Sequence, residues 1–214
     1  MPRVKAKRQY TSTLRQAQAS QTRARILDTA QRLFTQRGYA ATTMEVIASE
    51  AGVATDTVYA AFGTKAGLLH KLLDVRVGGD DRPVALLDRA EPRKVRAEPS
   101  QRKQIAGFAA DVAQIQERAV PVDDIIRSAA AVDPEIAAFR ARMHGFRYDN
   151  MRQFVSWLAA NGSFRGGISQ DEAAAVVWTL AGPEVHRLLR TERGWSRERY
   201  AAWLADTLTR TLLA

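Results

Sequence analysis

The sequence contains no cysteine, which rules out disulfides and thiolate metal sites. No apolar run reaches the ~18 residues that a membrane-spanning helix requires. The basic opening, Met1 to Arg8, is followed by no apolar stretch, so a secretory signal of the usual build is not expected. Histidine is scarce as well: His70, His144 and His186 stand too far apart for a metal-binding spacing. No segment alternates apolar and polar residues with the period of a strand, and no internal repeat is present. The chain has no G-x-S-x-G, no H-E-x-x-H and no phosphate-binding glycine loop. Arg165-Gly-Gly-Ile168 is a lone glycine signal without a strand before it. Together these absences lead us to expect a cytoplasmic protein that is not an enzyme and carries neither a metal nor a cofactor.

Charge is plentiful but uneven. Through residue 79 there are 12 Lys/Arg against 5 Asp/Glu, and beyond it 20 against 18. A basic head on a nearly neutral body is the pattern of a nucleic-acid-binding module joined to a second domain. With 46% apolar residues, the chain has enough material for packed cores.

Helical periodicity runs through most of the chain, and the predicted fold class is all-α. Residues 1–19 show no apolar stripe and read as a flexible basic arm. Arg3, Lys5, Lys7 and Arg8 are placed there to reach DNA phosphates or a narrow minor groove. Ile26, Leu27, Ala30, Leu33 and Phe34 share one helical face, and Gly38 ends that helix with Tyr39 folding back. Thr42 and Glu45 form a capping box for a second helix, with Thr43 as the competing cap. Gly52 interrupts that helix, and Val53, Val58 and Phe62 give a third its stripe. Gly63 ends the third, and Lys65 opens a fourth carrying Leu68, Leu69, Leu72 and Leu73.

Gly78 to Pro83 is the expected seam, giving domains over 20–79 and 80–214. Beyond it, one helix is expected over Ile105 to Ile115 and a separate, shorter one after Pro121. Asp133-Pro134 opens a long helix closed by Asn161-Gly162. Ser169 and Glu172 make another capping box, Pro183 starts or kinks the next stretch, and Ser196 caps the last helix.

The run Thr42 to Phe62 carries the chemistry. Two short helices meet at Gly52, with Ala48 and Ala51 thin enough for close crossing and Ile47, Val53, Val58 and Phe62 as shared core. Such a pair is a helix-turn-helix, whose second helix can enter the major groove. With Gly38-Tyr39, Thr42-Thr43, Ile47-Ala48, Ala51-Gly52-Val53, Thr57-Val58-Tyr59, Phe62, Lys65 and Leu68, the stretch from about Ser20 to Leu73 resembles the DNA-binding domain of the TetR family. The resemblance covers roughly a quarter of the chain. It implies a homodimer formed through the last long helices and an effector pocket within the C-terminal bundle. It also implies that Thr43, Tyr59 and Lys65 touch phosphates while Thr55, Asp56, Thr57 and Ala60 lie near bases. The hydroxyl of Thr42 or Thr43 at a helix start suits a phosphate too.

The sequence departs from the family at three positions. Ala54 stands where a serine cap is frequent, Asp56 where a small residue is favoured (and where it could itself cap), and Ala61 where an aromatic or histidine is common. The recognition helix has no Arg, Lys, Asn or Gln, the usual bidentate readers of guanine and adenine. Hydroxyl and methyl contacts from the threonines, together with DNA shape, are therefore expected to carry specificity.

All four tryptophans lie beyond residue 150. Phe108, Val112, Phe139, Met143, Phe146, Met151, Phe154, Trp157, Trp178 and His186 are the candidate lining of an apolar effector pocket, for a small molecule that is itself apolar or aromatic. For each residue alone, ordinary core packing is the competing reading. The whole reads as a ligand-responsive DNA-binding regulator, a repressor released from a palindromic operator. The alternatives are an activator of the same family and a nonspecific architectural DNA-binding protein.

Overall fold

Apolar periodicity and capping residues translate directly into helices in the computed structural model, which describes residues 4–214, with side chains from Arg15 onward. Among the described residues all regular structure is helical, and the chain divides into one unit ending at Asp74 and another spanning Val75–Ala214.

The first unit opens with α1 (Val4–Arg37), whose face of Ile26, Leu27, Ala30, Leu33 and Phe34 is buried. Its length corrects one expectation, because the helix continues back through residues expected to form an irregular arm. Lys, Arg, Gln and Ala are good helix formers, and a helix with no apolar stripe is invisible to periodicity. Arg3 lies outside the described residues, as do the side chains of Lys5, Lys7 and Arg8. Then follow α2 (Met44–Ala51), α3 (Thr55–Phe62) and α4 (Lys65–Gly78), whose residues from Val75 on fall in the second unit. Ile47, Val58, Leu68, Leu69 and Leu72 are fully buried in the shared core.

The second unit contains α5 (Ala90–Ala97), α6 (Gln101–Ala130), α7 (Pro134–Ala160), α8 (Gln170–Leu180), α9 (Pro183–His186) and α10 (Arg197–Leu212). A π-helical turn, Arg187–Glu192, continues α9. The segment before α5 is tied by Asp80, which pairs with Arg82 at 2.6 Å and Arg89 at 2.9 Å; their guanidinium hydrogen bonds hold its carboxyl well below the usual range. Three caps form as read from the sequence. Asp133 accepts from the backbone of Glu135 and Ile136, Ser169 and Glu172 cap reciprocally, and Ser196 accepts from Arg199 N–H.

One expectation fails here. The helix expected to start after Pro121 is the second half of α6. Proline removes one backbone donor, yet the buried row Ala109, Ala113, Gln116, Val120, Asp123 and Ile126 continues across it, so packing overrides the local signal. On the last helices, Val177, Leu204 and Leu208 are fully buried within the protomer. Leu188 is exposed, and Val176, Leu180 and Trp203 are half-buried.

Asp111 on α6 is half-buried, and its carboxyl is pushed up to about 6, first by desolvation and then by Glu91, with Arg118 opposing. A carboxyl whose pKa is raised by folding favours the folded state only while protonated, so this destabilisation grows as pH rises from about 4 to 6 and persists at 7. Asp111→Asn is therefore expected to gain about 1–2 kcal/mol at pH 7, discounted for residual solvent contact, and almost nothing at pH 4. Urea unfolding at the two pH values checks this; a loss of stability at pH 7 would show that the carboxylate has a partner it needs.

Candidate nucleic-acid interface

The turn between α2 and α3 is made by Gly52, whose φ of 64° lies in the left-handed region that other residues enter at a cost. Its N–H and that of Val53 satisfy the end of α2, the latter bonding to the Ala48 carbonyl at 3.0 Å. At the other end of α2 the structure decides between the competing caps. Thr43 is the N-cap, accepting from Val46 N–H at 3.3 Å, and its side chain is exposed. Thr42 is fully buried and donates to the Gly38 carbonyl at 2.9 Å. Thr42 therefore leaves the DNA-contact set: its hydroxyl is used to lock the turn after α1.

On α3, Val58 alone is fully buried. Asp56, Thr57, Tyr59, Ala60 and Ala61 are exposed, and Thr55 is half-buried. Ala54 is the N-cap and accepts nothing through its side chain. Asp56 does not replace it; it lies inside the first turn, where a carboxylate complements the helix dipole. The start of α3 thus keeps backbone N–H groups without a side-chain acceptor, a setting suited to an anion.

Tyr59 is held in place by Glu45, whose spacing in the sequence marks it only as a capping residue. Its hydroxyl donates to Glu45 at 3.1 Å, strapping α3 to α2. Hydrogen bonds from the backbone, Thr43 and Tyr59 draw the Glu45 carboxyl below its usual range, and the same bond raises Tyr59. The two residues are fourteen apart, so no helical spacing signals the pair. Lys65 also has an internal partner: its ammonium donates to the Tyr39 carbonyl at 2.9 Å and lies 4.2 Å from the centre of the Tyr39 ring. Its placement in the first turn of α4 is explained within the protein, before any phosphate is considered.

Residues 26–72 match the model for bacterial regulatory proteins of the tetR family. This stretch is therefore similar to the helix-turn-helix head of that family. Over 57 residues the chain is 46% identical to the HTH-type transcriptional regulator TtgR of Pseudomonas putida, a match that covers 27% of each chain. The chain thus spans about a quarter of the length of that curated relative. Solved structures extend the likeness in fold to nearly the whole chain. NalD, the secondary repressor of the MexAB-OprM multidrug efflux pump in Pseudomonas aeruginosa, superposes with a TM-score of 0.67 at 22% identity, covering 90% of this chain and 97% of that one. A SmeT–triclosan complex gives 0.65 at 19% identity, covering 90% and 92%. The helix-turn-helix head is followed, as in those folds, by a larger helical bundle.

Within that bundle the ten residues expected to line a pocket separate into groups. Phe108 and Phe154 stack face to face, ring centres 3.9 Å apart, in the middle of the core. Val112, Met151 and Trp157 pack against that core. Phe139 and Met143 are half-buried, while Phe146 is 68% exposed. Phe146 therefore leaves the lining set, because its position on α7 turns it outward from the protomer. Trp178 is flanked by His144 and Tyr148, and His186 is buried edge-on to Tyr200 at 5.0 Å. Burial lowers His186 to about 4, so its imidazole is neutral at pH 7. Among the described residues no helix is long and apolar enough to cross a membrane, and no group of side chains could hold a metal ion.

Proposed function

We propose that this protein is a ligand-responsive transcriptional regulator, most simply a repressor that leaves a palindromic operator when a small molecule binds. The observation that carries the reading is the exposed face of α3, Asp56-Thr57 and Tyr59-Ala60, on a TetR-type head. Residues 20–79 serve as the DNA-binding domain and 80–214 as the effector-binding and dimerisation domain. A repressor named NalD and a SmeT bound to triclosan, both similar in fold, support this division of labour. Thr55, Thr57 and Ala60 face bases, Thr43, Tyr59 and Lys65 contact phosphates, and Arg3, Lys5, Lys7 and Arg8 add further phosphate contacts. Dimerisation through the outward faces of α8 to α10 places two recognition helices about one turn of DNA apart, roughly 34–36 Å. The effector favours the geometry that no longer fits this spacing, with a coupling of about 1–3 kcal/mol.

Footprinting on DNA flanking the gene, with light scattering on the same sample, tests the reading. A single protected palindrome occupied by a dimer is expected. Uniform coverage of the DNA would replace this proposal with an architectural role, and a monomer at micromolar concentration would remove the two-fold geometry.

A further inference from the structure

Arg147 on α7 is a half-buried cation with no counter-ion. Its guanidinium donates to the Trp178 carbonyl at 2.7 Å and lies 4.5 Å from the centre of the Trp178 ring. No carboxylate comes within ion-pair distance of it among the described residues, and burial lowers its pKa, with Glu184 and Asp123 acting only at longer range. Neighbouring arginines are matched. Arg187 pairs with Asp123 at 3.0 Å and Asp124 at 2.8 Å, Arg190 with Glu117 at 2.8 Å, and Arg140 more loosely with Glu184 at 3.9 Å. Arg147 is thus the one arginine of these four without a carboxylate in ion-pair range, although one oxygen of Asp123 is also buried without a partner.

Donors without partners lie on the elements that surround Arg147. Arg140 Nε–H and Trp178 Nε1–H can only donate, and the Tyr200 hydroxyl, fully buried, has no partner either. His144 is held towards its neutral form by burial and by Arg140 and Arg147. His144 and Tyr148 stand edge-on to Trp178 at 6.1 and 6.2 Å and make aromatic walls. One turn further along α7, Met151 and then Phe154 continue this side of the helix into the apolar core.

We propose that Arg147 receives the carboxylate of an amphipathic organic acid, whose apolar part lies against Trp178 and Tyr148. The planar guanidinium can bind a carboxylate through two parallel N–H donors, a geometry that neither a neutral ligand nor an ammonium group reproduces. This rests on the reading of residues 80–214 as the effector domain, and it adds an anionic group to the apolar or aromatic effector expected there.

The test uses the full-length protein with sodium benzoate and sodium decanoate as probes, followed by tryptophan fluorescence. Saturable binding of at least one acid is expected, with benzamide, the neutral counterpart of benzoate, at least about ten-fold weaker. Arg147→Met should weaken acid binding by about ten-fold or more, and Arg147→Lys should retain part of it. The proposal is overturned if neither acid binds, if benzamide binds as well as benzoate, or if Arg147→Met keeps its affinity for the acids. Should that variant fail to fold, Arg147→Lys and the ratio of benzoate to benzamide still decide. Operator release is read separately. An acid that binds through Arg147 without loosening DNA supports this site and overturns the effector role, whereas release by neutral compounds alone does the reverse.

Discussion

Phe154→Ala should cost the second unit about 3–5 kcal/mol, the range for removing a buried phenyl ring from a packed core. Phe154 is almost fully buried, stacks on Phe108 at 3.9 Å, and belongs to the same core as Ile105, Leu158 and Tyr200. A native domain has only about 5–15 kcal/mol in total, so the variant is expected to lose most of its margin at growth temperature. Phe146→Ala, eight residues earlier on α7, removes a ring that is 68% exposed and should change stability by less than about 0.5 kcal/mol. Urea unfolding of the two variants, followed by tryptophan fluorescence, makes the comparison. Similar losses would mean that the two rings do not differ in burial as described.

The second large effect is on DNA. Thr57→Glu is expected to reduce operator affinity by about 10- to 100-fold, corresponding to about 1–3 kcal/mol for a disrupted contact. Thr57 is exposed in the first turn of α3, where an added carboxylate suits the helix dipole, so folding should be preserved. The same carboxylate would be carried towards the DNA phosphates and repelled by them. Fluorescence anisotropy with operator DNA, alongside circular dichroism to verify the fold, measures this. Unchanged affinity would remove α3 from the interface.

The head of this protein was largely legible because its signals are local. Gly38, Gly52 and Gly63 end helices at the positions where they stand in the sequence, and Ile26, Ile47, Val58 and Leu68 are buried as their spacing implies. Thr42 and Thr43 were harder, since two adjacent threonines offer the same cap and only the tertiary environment shows which hydroxyl turns inward to Gly38. In the bundle, caps at Asp133, Ser169 and Ser196 were readable, but Pro121 misled because a local breaker says nothing of the buried row that carries α6 across it. The partners that define the sites lie far apart in sequence: Glu45 with Tyr59, Lys65 with Tyr39, and Arg147 with Trp178. Charge matching of that kind has no period. An arginine left without an acid can be recognised only after every other pairing is known.

The π-helical turn Arg187–Glu192 bears on how this chain tolerates changes in length. Its Arg193 N–H reaches back five residues to the Leu188 carbonyl at 3.1 Å, so the turn winds in one residue more than an α-helical turn would. Deleting a single residue there can rewind the segment to α-helix while the chain before it, with Arg187 fixed to Asp123, keeps its register. The same deletion inside α6 or α7 would rotate every following side chain by about 100° and turn the buried face outward. Insertions and deletions that accumulate as the gene diverges are therefore expected to concentrate at this turn, while α6 and α7 keep their residue count.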